Sequence, residues 1–363
     1  MSKIRRRKVL KYGAIASMGS LAGCSGNGNG GNGNGNGGNG NGDDGNGNGN
    51  GGTTGNGDDG GGYPNENITL ISNYPEGSAT YGYAIKLGSV ISEQQGINVE
   101  VEAVGGGAGL RGLGELRSRP ADGYTFSTAY TPSQPLAALI NDPGFDVTNL
   151  TGITDGGHYT WNIIADPEME FDSFEGMVDR YNDGEFDSIG GLGYGHSWHV
   201  GCAWIRDQIE GGWDWENLVS FDGSNDSVRG TAAGEVPVST ASTSAVPAAV
   251  EEGQIDNLAN MSSSGDEYAT NGPAWVDDLG YFNMDFLGNV SYAFLAPPDL
   301  DSEIRSQAID VFEQAITSDE MAQWAEEGDR HIYVDYKGEE VNQLMKDTQD
   351  QVQENLDLEA LVE

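Results

Sequence analysis

The stretch Gly193 to His199 (Gly-Tyr-Gly-His-Ser-Trp-His) gathers more chemically capable side chains than any other part of the chain. Gly195-His196-Ser197-Trp198-His199 imitates the Gly-x-Ser-x-Gly turn that presents a nucleophilic serine. Its last position is His, which cannot replace the close-packing glycine, and His331 is the only histidine further on. A secreted serine hydrolase is therefore the weaker alternative. His196, His199 and Cys202 lie at i, i+3 and i+6, a spacing that invites a metal. The outer two are separated by far more than one helical turn and no fourth ligand is evident, so neither metal nor cofactor is expected. Gly105-Gly106-Gly107-Ala108-Gly109 suggests a nucleotide loop but lacks the Lys-Ser/Thr of a phosphate-binding loop. A third turn, Pro75-Glu76-Gly77-Ser78, offers backbone and hydroxyl groups rather than a nucleophile. Gly77 permits close backbone approach and Ser78 can cap a following helix.

The elements that must carry these turns alternate. Ile68-Thr69-Leu70-Ile71 is a short apolar run bounded by turn residues, which predicts a buried strand. Tyr83, Ala84, Leu87, Val90 and Ile91 repeat at helical spacing up to Gly96, a helix stop. Val99, Val101 and Ala103 alternate as a second strand. Leu110, Leu113 and Leu116 mark a second helix, and Tyr124-Thr125-Phe126 a third strand, with Ser127 to Pro132 read as a loop at its end. This order predicts a parallel sheet whose loops at strand C-terminal ends run into helix N-termini, natural sites for anions.

Further on, Gly152-Ile153-Thr154 and Trp161 to Ala165 are expected as two strands, and Asp172 to Glu175 has capping-box spacing. Ser188 to Gly191 is a strand leading through the Gly193–His199 turn into a helix. Two amphipathic helices carry Ile304, Ala308, Val311, Phe312 and Ala315, and Val341, Leu344, Met345, Thr348 and Val352; these stripes are core positions.

The Gly106 to Gly112 turn followed by Ala121-Asp122-Gly123-Tyr124-Thr125 resembles the extracytoplasmic solute receptors of the tripartite tricarboxylate transporter family, over about residues 66 to 355. The resemblance implies an α/β, two-lobed periplasmic-binding-protein type II (Venus-flytrap) fold with a ligand cleft between the lobes. Lobe 1 is residues 63–165 and 287–363, and lobe 2 residues 166–286. It implies capture of a small carboxylate, no enzymatic activity, and delivery to membrane transporter subunits, one large and one small. A surface structural lipoprotein is the other alternative.

The first ligand loop of such receptors falls on Gly77, Ser78, Ala79 and Thr80, with Glu76 where a glycine is usual and Thr80 at the usual Asp position. The second falls on Tyr194, Gly195, His196, Ser197 and His199, with His196 at a Ser position. His199 has two readings, a ligand donor or a structural group holding the turn. Tyr130, Thr131 and Ser242 complete the implied site. In Gly234 to Thr240, Pro237 replaces a usual Asp.

Residues 1–23 read as an address label. Arg6-Arg7 resembles a twin-arginine export signal, and Leu21-Ala22-Gly23-Cys24 a lipobox in which Cys24 becomes the lipidated N-terminus. The intervening apolar run is much shorter than the roughly 20 residues of a membrane span. Residues 24–62 are a Gly/Asn-rich tether that, as a flexible coil, reaches roughly 30–40 Å. The expected location is outside the cytoplasm, lipid-anchored to the outer face of the cell membrane. Beyond Gly23 the chain holds 11 basic against 57 acidic residues, a formal charge near −46. No nucleic acid partner fits, because no Lys/Arg cluster is available for phosphates. Such acidity points to a halophilic protein working in concentrated salt, where the Debye length is about 3 Å at 1 M. Cys202 has no second body cysteine to pair with and reads as a small buried hydrophobe.

Overall fold

The computed structural model describes residues 62–263, 272–328 and 330–358. The export signal, Cys24 and almost all of the tether lie outside them. The chain opens with β1 (Ile68–Ser72), α1 (Ala79–Gln95), β2 (Val99–Ala103), α2 (Leu110–Ser118) and β3 (Thr125–Thr131). β1 pairs in parallel with both β2 and β3, the predicted arrangement. α1 starts where Ser78 Oγ accepts the N–H of Tyr81 and stops at Gly96, whose φ of 69° needs no Cβ to be accommodated.

The expected loop from Ser127 to Pro132 is instead the continuation of β3 as far as Thr131, with Pro132 at the N-cap of the next helix. Its residues look polar, but each is buried because β3 is central, between β1 and the antiparallel β9 (Asn289–Ala296). α3 (Ser133–Asn141) follows. The two expected strands at 152–154 and 161–165 are one strand, β4 (Thr151–Ala165). Its first part pairs with β9 from Thr151↔Ala296 to Thr160↔Asn289, with register shifts at Gly152/Thr154 and Asp155/His158. The glycines between those shifts look like a turn in sequence but form bulges that let the strand bend.

The rest of the chain runs α4 (Phe174–Asn182), β5 (Ser188–Leu192), α5 (Ser197–Gln208), β6 (Asn217–Phe221), α6 (Ser224–Ala232), β7 (Val238–Ser242), α7 (Pro247–Glu251), β8 (Asp256–Asn260) and α8 (Asp285–Gly288). After β9 come α9 (Ser302–Ile316), α10 (Asp319–Glu326) and α11 (Glu339–Asn355). The sheet order is β2-β1-β3-β9-β4-β7-β5-β6, with β8 also on β4. Trp161–Ala165, the second part of β4, pair with β7 and β8, so one strand belongs to both halves of the sheet.

Each half is covered on both faces. In the first, α1, α9 and α10 bury Leu87, Val90, Phe312 and Met321 on one face, while α2, α3 and α11 bury Leu113, Leu116, Ala137 and Met345 on the other. In the second, α4 and α5 pack Phe174, Tyr181, Trp198 and Cys202 with Trp213 and Trp275, and α6 and α7 supply Val228 and Ala249. Burying each large apolar side chain contributes about 1.5–3 kcal/mol. Cys202 is fully buried, and burial pushes its thiol pKa up, as a packed, unreactive thiol requires.

The bulge of β4 receives a strap from the C-terminal part of the chain. His158 N–H donates to His331 O (3.0 Å), Asp155 N–H to Tyr336 O (3.0 Å), and Gly338 N–H to Ile153 O (2.8 Å). Gly157 sits at φ 113°, and a Cβ there would lie 2.0 Å from His331 O, so only glycine lets the strap approach. Asp155, fully buried, accepts the N–H groups of Asp335 (2.9 Å) and Tyr336 (3.2 Å) on Oδ1. Its Oδ2 stands 3.4 Å from His158 Nε2, and His158 Nδ1 meets Tyr333 OH at 2.6 Å.

Candidate functional site

The β1–α1 and β5–α5 turns rise from opposite halves of the sheet, and both feed helix N-termini. In the first, Gly77 (φ 85°) lets the chain turn, and nothing lies within 4 Å of where its Cβ would be. Ser78 Oγ donates to Pro75 O (2.7 Å) while accepting from Tyr81 N–H, so the hydroxyl is a cap with its proton already placed. What the turn offers outward is the first-turn backbone N–H groups of Ala79 and Thr80, which have no intrahelical acceptor. The Thr80 side chain is buried and hydrogen-bonded to the Tyr130 hydroxyl. Sequence reasoning put both in the site, and the structure joins them. Tyr130 is fixed further by its N–H, which donates to Gln134 Oε1, while Gln134 Nε2 donates to Ala108 O (2.9 Å). Thr131 is buried and paired with Ser291 in the sheet.

In the second turn Gly195 adopts φ 84° and His196 occupies the N-cap without capping through its side chain. Tyr194 is exposed, its ring 4.4 Å from that of His199. His199 is buried between Tyr194, Trp198 and Trp215, with no hydrogen-bond partner on Nδ1. Burial lowers the pKa of both histidines to about 4; Arg206 and His196 add to this at His199. Both are therefore neutral near pH 7 and act as hydrogen-bonding rings, not cations.

Ser197 is fully buried, and its Oγ accepts the indole N–H of Trp161 at 2.9 Å. It stands on the inner side of the turn and supports the loop from behind, where the resemblance implied a ligand contact. That engagement also leaves it ill placed as a nucleophile. Ser242 pairs with Trp161 across β4 and β7, its N–H donating to Ser224 Oγ (3.0 Å) and its hydroxyl meeting Ser244 Oγ (3.2 Å). Among the described residues no group of three His, Cys, Asp or Glu side chains is arranged to hold a metal.

Between the two turns lies an aromatic floor. Tyr74, just before the first turn, sets its ring 5.6 Å from Tyr130 and 6.1 Å from His196 of the opposite turn. Tyr130 is 4.8 Å from Tyr292 and 6.2 Å from Tyr159, and Tyr159 is 5.4 Å from both Tyr292 and Trp161. Burial raises the phenol pKa values of Tyr74, Tyr130 and Tyr159, and that of Tyr292 to about 12, so all four remain protonated donors. Of these, only Tyr130 was found from the sequence. Tyr159 and Trp161 carry a usable signal, two aromatics at strand spacing on one face of β4.

The family described as tripartite tricarboxylate transporter family receptor matches residues 84–358. The chain belongs to this family. It is a family of receptors rather than of enzymes, and its members work outside the cytoplasm. No curated protein matches the chain by sequence. Among solved structures, an R. palustris protein with adipate is 16% identical with a TM-score of 0.68, covering 82% of this chain and 98% of its own. MatC from Rhodopseudomonas palustris, with bound malate, is 14% identical with a TM-score of 0.66, covering 83% and 100%. A TctC solute-binding protein from Polaromonas, without ligand, is 18% identical with a TM-score of 0.62, covering 81% and 99%. At these identities the likeness establishes the fold, that of periplasmic binding proteins. Among the described residues of this receptor no helix is long and apolar enough to cross a membrane.

Proposed function

We propose that the protein captures a small carboxylate outside the cell membrane and hands it to a tripartite tricarboxylate-type permease with one large and one small subunit. No bond is made or broken. The lobes are residues 63–165 with 287–363, and 166–286, and the solute biases them toward closure by touching both. The observation that carries this reading is the approach of Tyr74 to His196, which brings the β1–α1 and β5–α5 turns of opposite halves to one place. Two helix N-termini then face one solute carboxylate and supply N–H donors without a cation. Adipate and malate, the ligands of the two R. palustris neighbours, are small carboxylates and favour the same class here. Cys24 as a lipidated N-terminus and residues 25–62 as a leash complete the reading, in a protein built for high salt.

A thermal-shift screen of carboxylates in molar sodium chloride tests the proposal. A binder at one hundred times its Kd stabilises the native state by about 2.7 kcal/mol. Gly77→Val, which puts a side chain into the first turn, should abolish the shift. A carboxylate that stabilises Gly77→Val as much as the native protein binds elsewhere.

A further inference from the structure

The donors of this site are all neutral, which bears on how many charges its solute carries. Beyond Gly23 the chain has eleven basic residues, and the described structure places every one of them. Lys86, Arg119, Arg180, Arg229, Arg305 and Lys337 are each held by a carboxylate. Arg206, which acts on His199, lies 4.9 Å over the Trp215 ring and 3.4 Å from the carboxylate of its neighbour Asp207. Arg117 lies over the Phe145 ring, while Arg111 and Lys346 are exposed on α2 and α11. Arg330 comes near enough to Tyr292 to affect it, but its guanidinium lies 4.0 Å over Trp324 and donates to Trp324 O at 2.7 Å. No guanidinium or ammonium is therefore set against the aromatic floor as a partner for a second carboxylate.

The floor itself is made of rings contributed by both halves. Tyr74, Tyr159, Tyr292 and His196 are each half-buried rather than fully enclosed. Their tilted and edge-to-face arrangement leaves π faces and ring edges available to a flat partner. A second carboxylate pushed against such a floor would lose its water and gain no cation. The floor's hydroxyls are largely engaged: that of Tyr130 is bonded to Thr80, and those of Tyr74 and Tyr292 meet Gln134 and Tyr130. In a chain so rich in acidic groups that loss is not recovered.

We infer that the solute is a monocarboxylate with a planar apolar body, of the aryl-carboxylate type: its single charge lies at the N-termini of α1 and α5 and its ring against Tyr74, Tyr159, Tyr292 and His196. This rests on the receptor reading above and narrows it to one charge and one shape. It departs from the dicarboxylates bound by the two R. palustris neighbours.

Isothermal titration of the full mature chain in molar sodium chloride decides it, with benzoate and phenylacetate as monocarboxylate probes and terephthalate, malate and citrate as the multiply charged set. The expected result is that benzoate or phenylacetate binds at least tenfold more tightly than any acid of the second set. Tyr159→Leu then weakens that binding at least fivefold, while Tyr159→Phe, which keeps the ring and safeguards the fold, stays within twofold. Terephthalate, malate or citrate binding as tightly as the best monocarboxylate overturns the inference. If Gly77→Val abolishes that binding, the receptor reading survives it. If none of the five acids binds, the inference falls, while the receptor reading is decided by the wider carboxylate screen.

Discussion

Replacing Asp155 tests whether the bulge of β4 is held by the strap that crosses it. The carboxylate is fully buried and accepts two backbone N–H groups, from Asp335 at 2.9 Å and Tyr336 at 3.2 Å. Hydrogen bonds to a charged group contribute about 1.5–3 kcal/mol each, and part of that is cancelled by the cost of taking the carboxylate out of water. Asp155→Ala leaves both N–H groups unpaired next to a small void, and should cost about 3–5 kcal/mol. Asp155→Asn keeps the Oδ1 acceptor and the shape. It should cost only about 1–2 kcal/mol, because a neutral acceptor binds roughly half as strongly. Guanidinium denaturation in molar salt, followed by the fluorescence of the seven tryptophans, reads both values. Hydrogen exchange at Asp335 and Tyr336 should accelerate in the Ala variant. An Ala variant within about 0.5 kcal/mol of the native protein, or an Asn variant as costly as Ala, would refute the argument.

Ser197→Ala strands the Trp161 indole N–H in the interior and should lower stability by about 1–3 kcal/mol; an unchanged melting temperature returns Ser197 to the solute. The folded pKa values of His196 and His199, near 4 against 6.5 when free, mean that the unfolded chain takes up protons first as pH falls. Stability relative to a His196→Gln/His199→Gln variant should therefore hold above about pH 6.5 and decline toward pH 4, and parallel melting curves for the two proteins would contradict it. Near-UV circular dichroism of the mature chain should fade as sodium chloride drops below about 1 M, where screening weakens; a full cooperative melt in dilute buffer argues against a halophilic protein. Cys24→Ser should release the protein from the membrane fraction, and unchanged attachment would remove the lipid anchor.

Local chemistry made α1 legible: a serine cap, a helical stripe and a glycine stop all lie within one short stretch. The first two β–α units and the turns at 75–80 and 193–199 were readable for the same reason. What escaped depends on partners distant in sequence. Ser127 to Thr131 look like a polar loop until β1 and β9 enclose them. Asp155-Gly156-Gly157-His158 looks like a break until β9 pairs on one side and the strap on the other. α10 was missed, being short and largely exposed, with Met321 as its one fully buried side chain. The floor escaped because Tyr74, Tyr130, Tyr159 and Tyr292 come from four separate parts of the chain. Ser197 was assigned to its turn, but only its distant partner Trp161 shows which way the hydroxyl faces.

The sharing of β4 also bears on how separable the halves are in evolution and in the test tube. Trp161–Ala165 are flanked by β7 and β8, while Thr151–Thr160 of the same strand are flanked by β9. Deleting residues 166–286 as a cassette would therefore leave five strand residues with both ladders removed, among them the large indole of Trp161 and the buried Ile163 and Ile164. Such an exposed edge is a template for aggregation. A graft of the second half onto another receptor must carry its own copy of this strand's final turn of pairing, so recombination between relatives is confined to crossovers that keep β4, β7 and β8 from one parent.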